Sequence, residues 1–259
     1  MNNLREWLAH PLTRGLDIDD PRTTLRRRQI LQEKPFLRRI YKEWYQVVTA
    51  PLPPGPGAVL ELGAGAGFLA DFVPGFVHSE IFFTPWVDVV MDGLALPLAT
   101  GCLRGIVMIN VLHHLPRPVQ FFTEAARCVH PGGVVTMIEP WVTPWSRLVY
   151  TRFHHEPFLP GAQSWDLAAG GPLSAANGAL PWILFQRDRE RFKQAAPEWQ
   201  VRLVRPMMPF RYLVSGGISL KQLVPAGSFP LWRALERALA PFREKIAMFA
   251  HIVLERESR

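Results

Sequence analysis

The sequence predicts an α/β fold built on a doubly wound, mostly parallel sheet, and three observations predict it. The first is an apolar run carrying one carboxylate, Val59-Leu60-Glu61-Leu62, that passes directly into Gly63-Ala64-Gly65-Ala66-Gly67. Glycine is needed where backbone takes a positive φ or approaches a ligand closely, so this reads as a strand entering a ligand-binding turn. The second is another apolar run with an acidic residue, Ser79-Glu80-Ile81-Phe82-Phe83. Its Glu80 follows Glu61 by about twenty residues, the distance at which doubly wound folds place an acidic ligand contact. The third is size: 259 residues with 48% hydrophobic content suit one α/β domain with additions.

Taken in chain order, Met1-Asn2-Asn3-Leu4-Arg5-Glu6 lacks a charged-then-apolar leader pattern, and no run of eighteen or more apolar residues occurs. A soluble cytoplasmic protein is expected. Residues 1–50 read as a helical arm. Thr23 or Thr24 caps a helix to about Gln32, and Pro35 opens another carrying Phe36, Leu37, Ile40, Tyr41, Trp44 and Tyr45 mostly on one face. That face either packs on the core or closes as a lid over a ligand. Pro51-Leu52-Pro53-Pro54-Gly55-Pro56-Gly57 ends the arm, because such a run neither continues a helix nor joins a central strand.

The main domain then spans residues 51–259. The glycine turn leads into a helix over Phe68 to Val73, followed by the second strand and by Val87-Asp88-Val89-Val90-Met91-Asp92-Gly93. Leu96-Pro97-Leu98 comes next, and then the apolar run Ile106-Val107-Met108-Ile109-Asn110-Val111-Leu112-His113-His114-Leu115. Arg127 to Gly133 turns into a fifth strand over Val134 to Ile138. The segment from Glu139 to about Pro181 is rich in Trp, Pro and Gly without sustained periodicity, and reads as a substrate-recognition insertion holding Trp141, Trp145 and Trp165. Gln186 to Ala195 suits a charged helix and Trp199 to Val204 a strand. Leu231 to Met248 suits helix broken at Pro241, and Phe249 to Leu254 a last strand.

The glycine spacing departs from the dinucleotide fingerprint G-x-G-x-x-G, since Phe68 stands where that pattern wants glycine. An acidic residue two positions before G-x-G-x-G, the Asp92-Gly93 pair, the Leu-Pro-Leu loop, the Leu-His-His-Leu run and the Pro-Gly-Gly turn, in that order, resemble the class I S-adenosylmethionine (SAM) dependent methyltransferases. The resemblance is to the methyltransferase type 11 branch and covers Val59 to Glu139. It implies a Rossmann-like sheet of seven strands in the order 3-2-1-4-5-7-6, with SAM as cofactor. It also places Gly63, Gly65 and Gly67, with Ala64 among them, against the methionine and ribose side. Glu80 is implied for the ribose hydroxyls, Asp92 and Gly93 for adenine, and Asn110 for the sulfonium-bearing side chain. Glu61 is expected to orient the glycine turn and the ammonium group, directly or through water.

Methyl transfer from a sulfonium is an in-line displacement that positioning can largely supply, and a base is needed only if the acceptor must lose a proton. Candidates are His113 and His114, expected to be structural, and His154-His155-Glu156 in the insertion. His155 is the expected base, because a neighbouring carboxylate can hold a useful tautomer. No metal site is expected: Cys102 and Cys128 are the only cysteines, and adjacent residues in one segment seldom complete a coordination shell. Asn110-Val111-Leu112-His113 stands where nucleobase amino methyltransferases carry Asn-Pro-Pro-Tyr or Asp-Pro-Pro-Tyr, and no Pro-Cys pair occurs. A small-molecule, lipid-like or saccharide-linked acceptor is therefore expected. The loop tryptophans and the apolar stretch Met207 to Val214 suit a hydrophobic acceptor, the latter also the core. The net charge of +7 gathers at Arg26-Arg27-Arg28 and from Arg187 to Lys193, read as solvated helix faces. A nucleic-acid methyltransferase, peripheral membrane contact and a non-catalytic SAM-binding scaffold are the alternatives.

Overall fold

The computed structural model describes residues 9–13, 15–154 and 156–258. Seven strands form one sheet: β1 (Ala58–Leu62), β2 (Val77–Glu80), β3 (Val89–Val90), β4 (Leu103–Ile109), β5 (Val129–Pro140), β6 (Trp199–Met207) and β7 (Phe249–Arg256). Their spatial order is β3-β2-β1-β4-β5-β7-β6, as the resemblance implies. β1 runs parallel to β2 and β4, β2 to β3, and β4 to β5, while β7 is antiparallel to β5 and β6. The central strands read as nearly continuous apolar runs because helices and loops cover both faces, and Val59, Leu60, Ile106, Val107 and Met108 are buried.

The α-helices of five or more residues are α1 (Pro21–Glu33), α2 (Pro35–Thr49), α3 (Pro118–Cys128), α4 (Pro144–Phe153), α5 (Arg189–Ala195), α6 (Arg211–Ser215) and α7 (Phe229–Ala238). Pro35 opens α2 as expected, and Phe36, Leu37, Ile40, Trp44, Tyr45 and Val48 all enter the same core as the sheet. Trp44 stacks on Tyr212 with centroids 5.4 Å apart and meets Phe249 edge-on. The apolar face of the arm therefore packs as core.

Several local readings are corrected. The cap of α1 is Asp20, which accepts from the Arg22 N–H; Pro21 presets the first turn, and the Thr23 hydroxyl instead donates to the Asp17 carbonyl. No α-helix follows the glycine turn, only a 3-10 turn at Leu69–Asp71. The Phe68 N–H goes to the Tyr45 hydroxyl at 2.7 Å, and Pro74-Gly75 closes the segment before β2. β2 stops at Glu80 because the Ile81 N–H turns onto that residue's own carboxylate, leaving Phe83 exposed.

The insertion is not all loop. Thr143 and Ser146 form a reciprocal capping box that starts α4. Trp141 and Trp165 are buried, and the Trp145 indole N–H donates to the Pro209 carbonyl, so these tryptophans build core and loop contacts. A π-turn at Ile183–Arg187 precedes α5, and the last helical region breaks after α7 into turns at Ala240–Phe242 and Arg243–Ile246, around Pro241 as expected. Among the described residues no helix is long and apolar enough to cross a membrane.

Candidate functional site

In open α/β sheets ligands lie beyond the carboxyl ends of the strands. There the structure has a cavity of about 480 Å³, within the usual size of a small-molecule site. Glu61, Gly63, Ala64, Gly65, Gly67, Glu80, Asp92, Gly93 and Asn110, all selected from the sequence, line it together. They converge because Glu61 lies near the end of β1, Glu80 ends β2, Asp92 follows β3 and Asn110 follows β4.

Gly63 has φ 71°, and a Cβ there would stand 2.5 Å from Val111 Cγ2, so only glycine fits. Gly65, at φ 50°, donates its N–H to Glu80 Oε2 at 2.7 Å, while Ile81 N–H reaches Oε1 at 2.7 Å. Burial is the largest influence on Glu80 and pushes its carboxyl above the usual range, against the pull of those two N–H groups. Glu61 does not brace the glycine turn directly: its Oε2 lies 2.6 Å from Nδ1 of His78, its register partner on β2. That hydrogen bond raises His78 above its ordinary value. Asp92 Oδ1 accepts the Leu94 N–H and fixes its own turn.

Asn110 departs from local rules twice. Its backbone is left-handed at φ 57°, and its Oδ1 is buried without a hydrogen-bond partner. Such strain costs on the order of 1–3 kcal/mol and gathers at functional sites, and an orphaned buried acceptor calls for a donor.

The arm supplies the facing wall through Thr24, Arg27, Tyr41 and Tyr45. Arg28 donates to the Gly67 carbonyl and lies 4.4 Å over the Trp86 ring, whose indole N–H donates to the Gly65 carbonyl. The reading of Arg26-Arg27-Arg28 as a solvated face is thus corrected: Arg26 is exposed, but Arg27 and Arg28 turn inward and are half-buried. Helical spacing carried that signal, since Arg27 shares a stripe with Thr24 and Leu31, both buried.

At the other end stand His113, His114, Tyr150, His154, Glu156, Tyr212 and the loop from Leu167 to Leu173. Fully buried Glu139 accepts the Val111 and Leu112 N–H groups, each at 2.8 Å, and lies 2.6 Å from His113 Nδ1. His113 Nε2 faces Glu156 Oε2 at 3.4 Å, His114 Nε2 lies 3.9 Å from Oε1, and His154 Nδ1 3.7 Å from Oε2. Burial opposes charge on His113, but Glu139 and Glu156 outweigh it and lift the imidazole to about 9. His114 is pushed down to about 3 by burial and then by His113. His113, His114 and Glu156 offer three ligand atoms within 4.8 Å of one another, a set that could hold a metal ion. His155, the expected base, lies outside the described residues.

Residues 60–137 match the family described as "Methyltransferase domain". An uncharacterised methyltransferase of Mycobacterium bovis (strain BCG / Pasteur 1173P2) is 33% identical over 109 residues, 36% of this chain and 43% of that protein. One of Mycobacterium tuberculosis (strain ATCC 25618 / H37Rv) is 32% identical with the same coverage. The match thus spans less than half the length of these curated relatives. Geranyl diphosphate C-methyltransferase from Streptomyces coelicolor A3(2), solved with Mg2+, geranyl diphosphate and S-adenosyl-L-homocysteine, is alike in fold. It superposes on 85% of this chain and 80% of its own, with TM-score 0.52 and 11% identity. The stretch from the glycine turn into β5 is thus similar in sequence to a methyltransferase domain, and the sheet as a whole shares the fold of a SAM-dependent methyltransferase.

Proposed function

We propose that the protein transfers a methyl group from SAM to a small-molecule acceptor, lipid-like or saccharide-linked acceptors included, inside this cavity. The observation that carries the reading is the pairing of Glu80, which holds the Gly65 N–H, with strained and orphaned Asn110 on the same cavity wall. SAM supplies an activated methyl group on sulfur when bound. The residues present fit it: Glu80 retains lone pairs for the ribose diol, Asp92 and Gly93 flank the adenine, and Asn110 Oδ1 receives the ammonium group. Glu61, hydrogen-bonded to His78, completes the floor beneath the glycine turn.

The chain's own contribution is positioning and exclusion of water. Holding donor and acceptor in line is worth up to about 7–11 kcal/mol in well-oriented systems. The arm and the insertion wall the cavity on facing sides, which suits an acceptor enclosed with the cofactor. A polynucleotide would have to extrude its target base into this space. Where the acceptor must lose a proton, His155 is the proposed base, since its neighbours His154 and Glu156 both line the cavity. Full turnover by His155→Ala on an authentic acceptor would remove it from that role.

The test is calorimetric titration of SAM and S-adenosylhomocysteine into the wild type, Gly65→Arg and Asn110→Gly. A Cβ at Gly65 meets nothing closer than 3.9 Å, but its φ of 50° strains any other residue, so Gly65→Arg is first shown to melt cooperatively. Micromolar binding by the wild type, lost in Gly65→Arg and weakened about tenfold in a stably folded Asn110→Gly, is expected. Absence of binding to the wild type contradicts both this reading and a SAM-binding scaffold, and returns a dinucleotide ligand.

A further inference from the structure

We propose that Arg27 is the receptor for a carboxylate bound in the cavity, an inference that rests on the cavity reading given above. Among the described residues Arg27 makes no hydrogen bond and no ion pair, and its Nε is buried without a partner. Other inward-facing arginines reach charged or carbonyl partners. Arg211 pairs with Glu43 at 2.6 Å and Glu236 at 2.5 Å, Arg187 with Asp188 at 2.8 Å, and Arg28 reaches the Gly67 carbonyl. Burying a cation with no counter-ion is unfavourable, and a guanidinium presents a planar fork suited to a carboxylate.

Among the described residues no group supplies that partner. Glu156 exerts the strongest attraction on Arg27, but stays outside ion-pair distance and already faces His113, His114 and His154. Burial pushes the guanidinium below its ordinary value, and the pull of Glu156 offsets that only in part.

Position narrows the ligand. Arg27 lines the main cavity beside Tyr41 and also a second cavity of about 260 Å³, whose walls include Leu16, Ile18, Val149, Phe153 and Leu213. It therefore stands at a junction between the SAM cavity and an apolar side chamber. A carboxylate reaches it from one of two sources: the amino-acid end of the cofactor, or the head of an acceptor whose apolar tail occupies the side chamber.

The experiment compares the wild type, Arg27→Met and Arg27→Lys in the full chain, each first shown to melt cooperatively. Calorimetry measures S-adenosylhomocysteine against 5′-methylthioadenosine, the same nucleoside thioether without the carboxylate. Decanoate is then measured against decanol, with S-adenosylhomocysteine bound. A cofactor source predicts that Arg27→Met weakens S-adenosylhomocysteine about tenfold while 5′-methylthioadenosine is unchanged, with partial recovery in Arg27→Lys. An acceptor source predicts that both nucleosides are unchanged while decanoate binding is lost and decanol binding kept. Equal weakening of the two nucleosides, or no change in any of the four, overturns the proposal. A wild type that binds neither nucleoside overturns the cofactor reading instead, and the decanoate and decanol comparison on the free protein then decides the role of Arg27.

Discussion

Asn110 shows why single residues carried so much of the functional reading. β4 ends at Ile109, and although the Asn110 N–H still donates to the Ile138 carbonyl of β5, its unpartnered side-chain oxygen serves no contact in the sheet. The cavity residues were legible because glycine spacing and strand ends are local patterns. His78 and Glu139 were not, because a histidine across one strand pair and a carboxylate some thirty residues from its partners are joined only by the fold. Those buried pairs set a pH dependence. His113 is raised to about 9, so the folded state binds its proton more tightly, and that stability is full below about 6.5 and lost as pH rises through 9. His114 and His251 are lowered to about 3 and about 4 by burial, so the unfolded chain takes their protons first and stability falls as pH drops below about 6.5. Urea midpoints between pH 4 and 10 should peak near neutrality, and His113→Gln should flatten the alkaline limb. An alkaline limb unchanged in that variant would contradict the assignment.

At the scale of elements, α2 joins the cavity to the core. Its inner face packs Trp44 against Tyr212 and Phe249, while Tyr45 on the next position holds the Phe68 N–H beside the glycine turn. Trp44→Ala should therefore cost about 3–5 kcal/mol in denaturant titration, the range for a large aromatic removed from a packed interior. A loss below about 1 kcal/mol would mean that the arm is a detachable cover. The apolar stripe of α2 was legible at helical period, yet the missing helix after the glycine turn was not. The competing partner for Phe68, Tyr45, lies upstream beyond any local window. The capping box of α4 was written in Thr143 and Ser146, but the surrounding prolines and tryptophans hid its periodicity.

For the whole molecule, the order of motifs along the chain carried the family resemblance, and that resemblance implied the order of strands the sheet has. The insertion and the arm were harder. Thr24 and Tyr41 of the arm and Tyr150 of the insertion line the same cavity although they stand far apart in sequence. The central claim is that this shared cavity holds SAM against the glycine turn. A crystal structure of the protein with S-adenosylhomocysteine tests it most directly. The account predicts ribose hydroxyls on Glu80, adenine beside Asp92 and Gly93, and the ammonium group on Asn110 Oδ1. A ligand bound elsewhere, or seated here without touching Glu80 and Asn110, would contradict it.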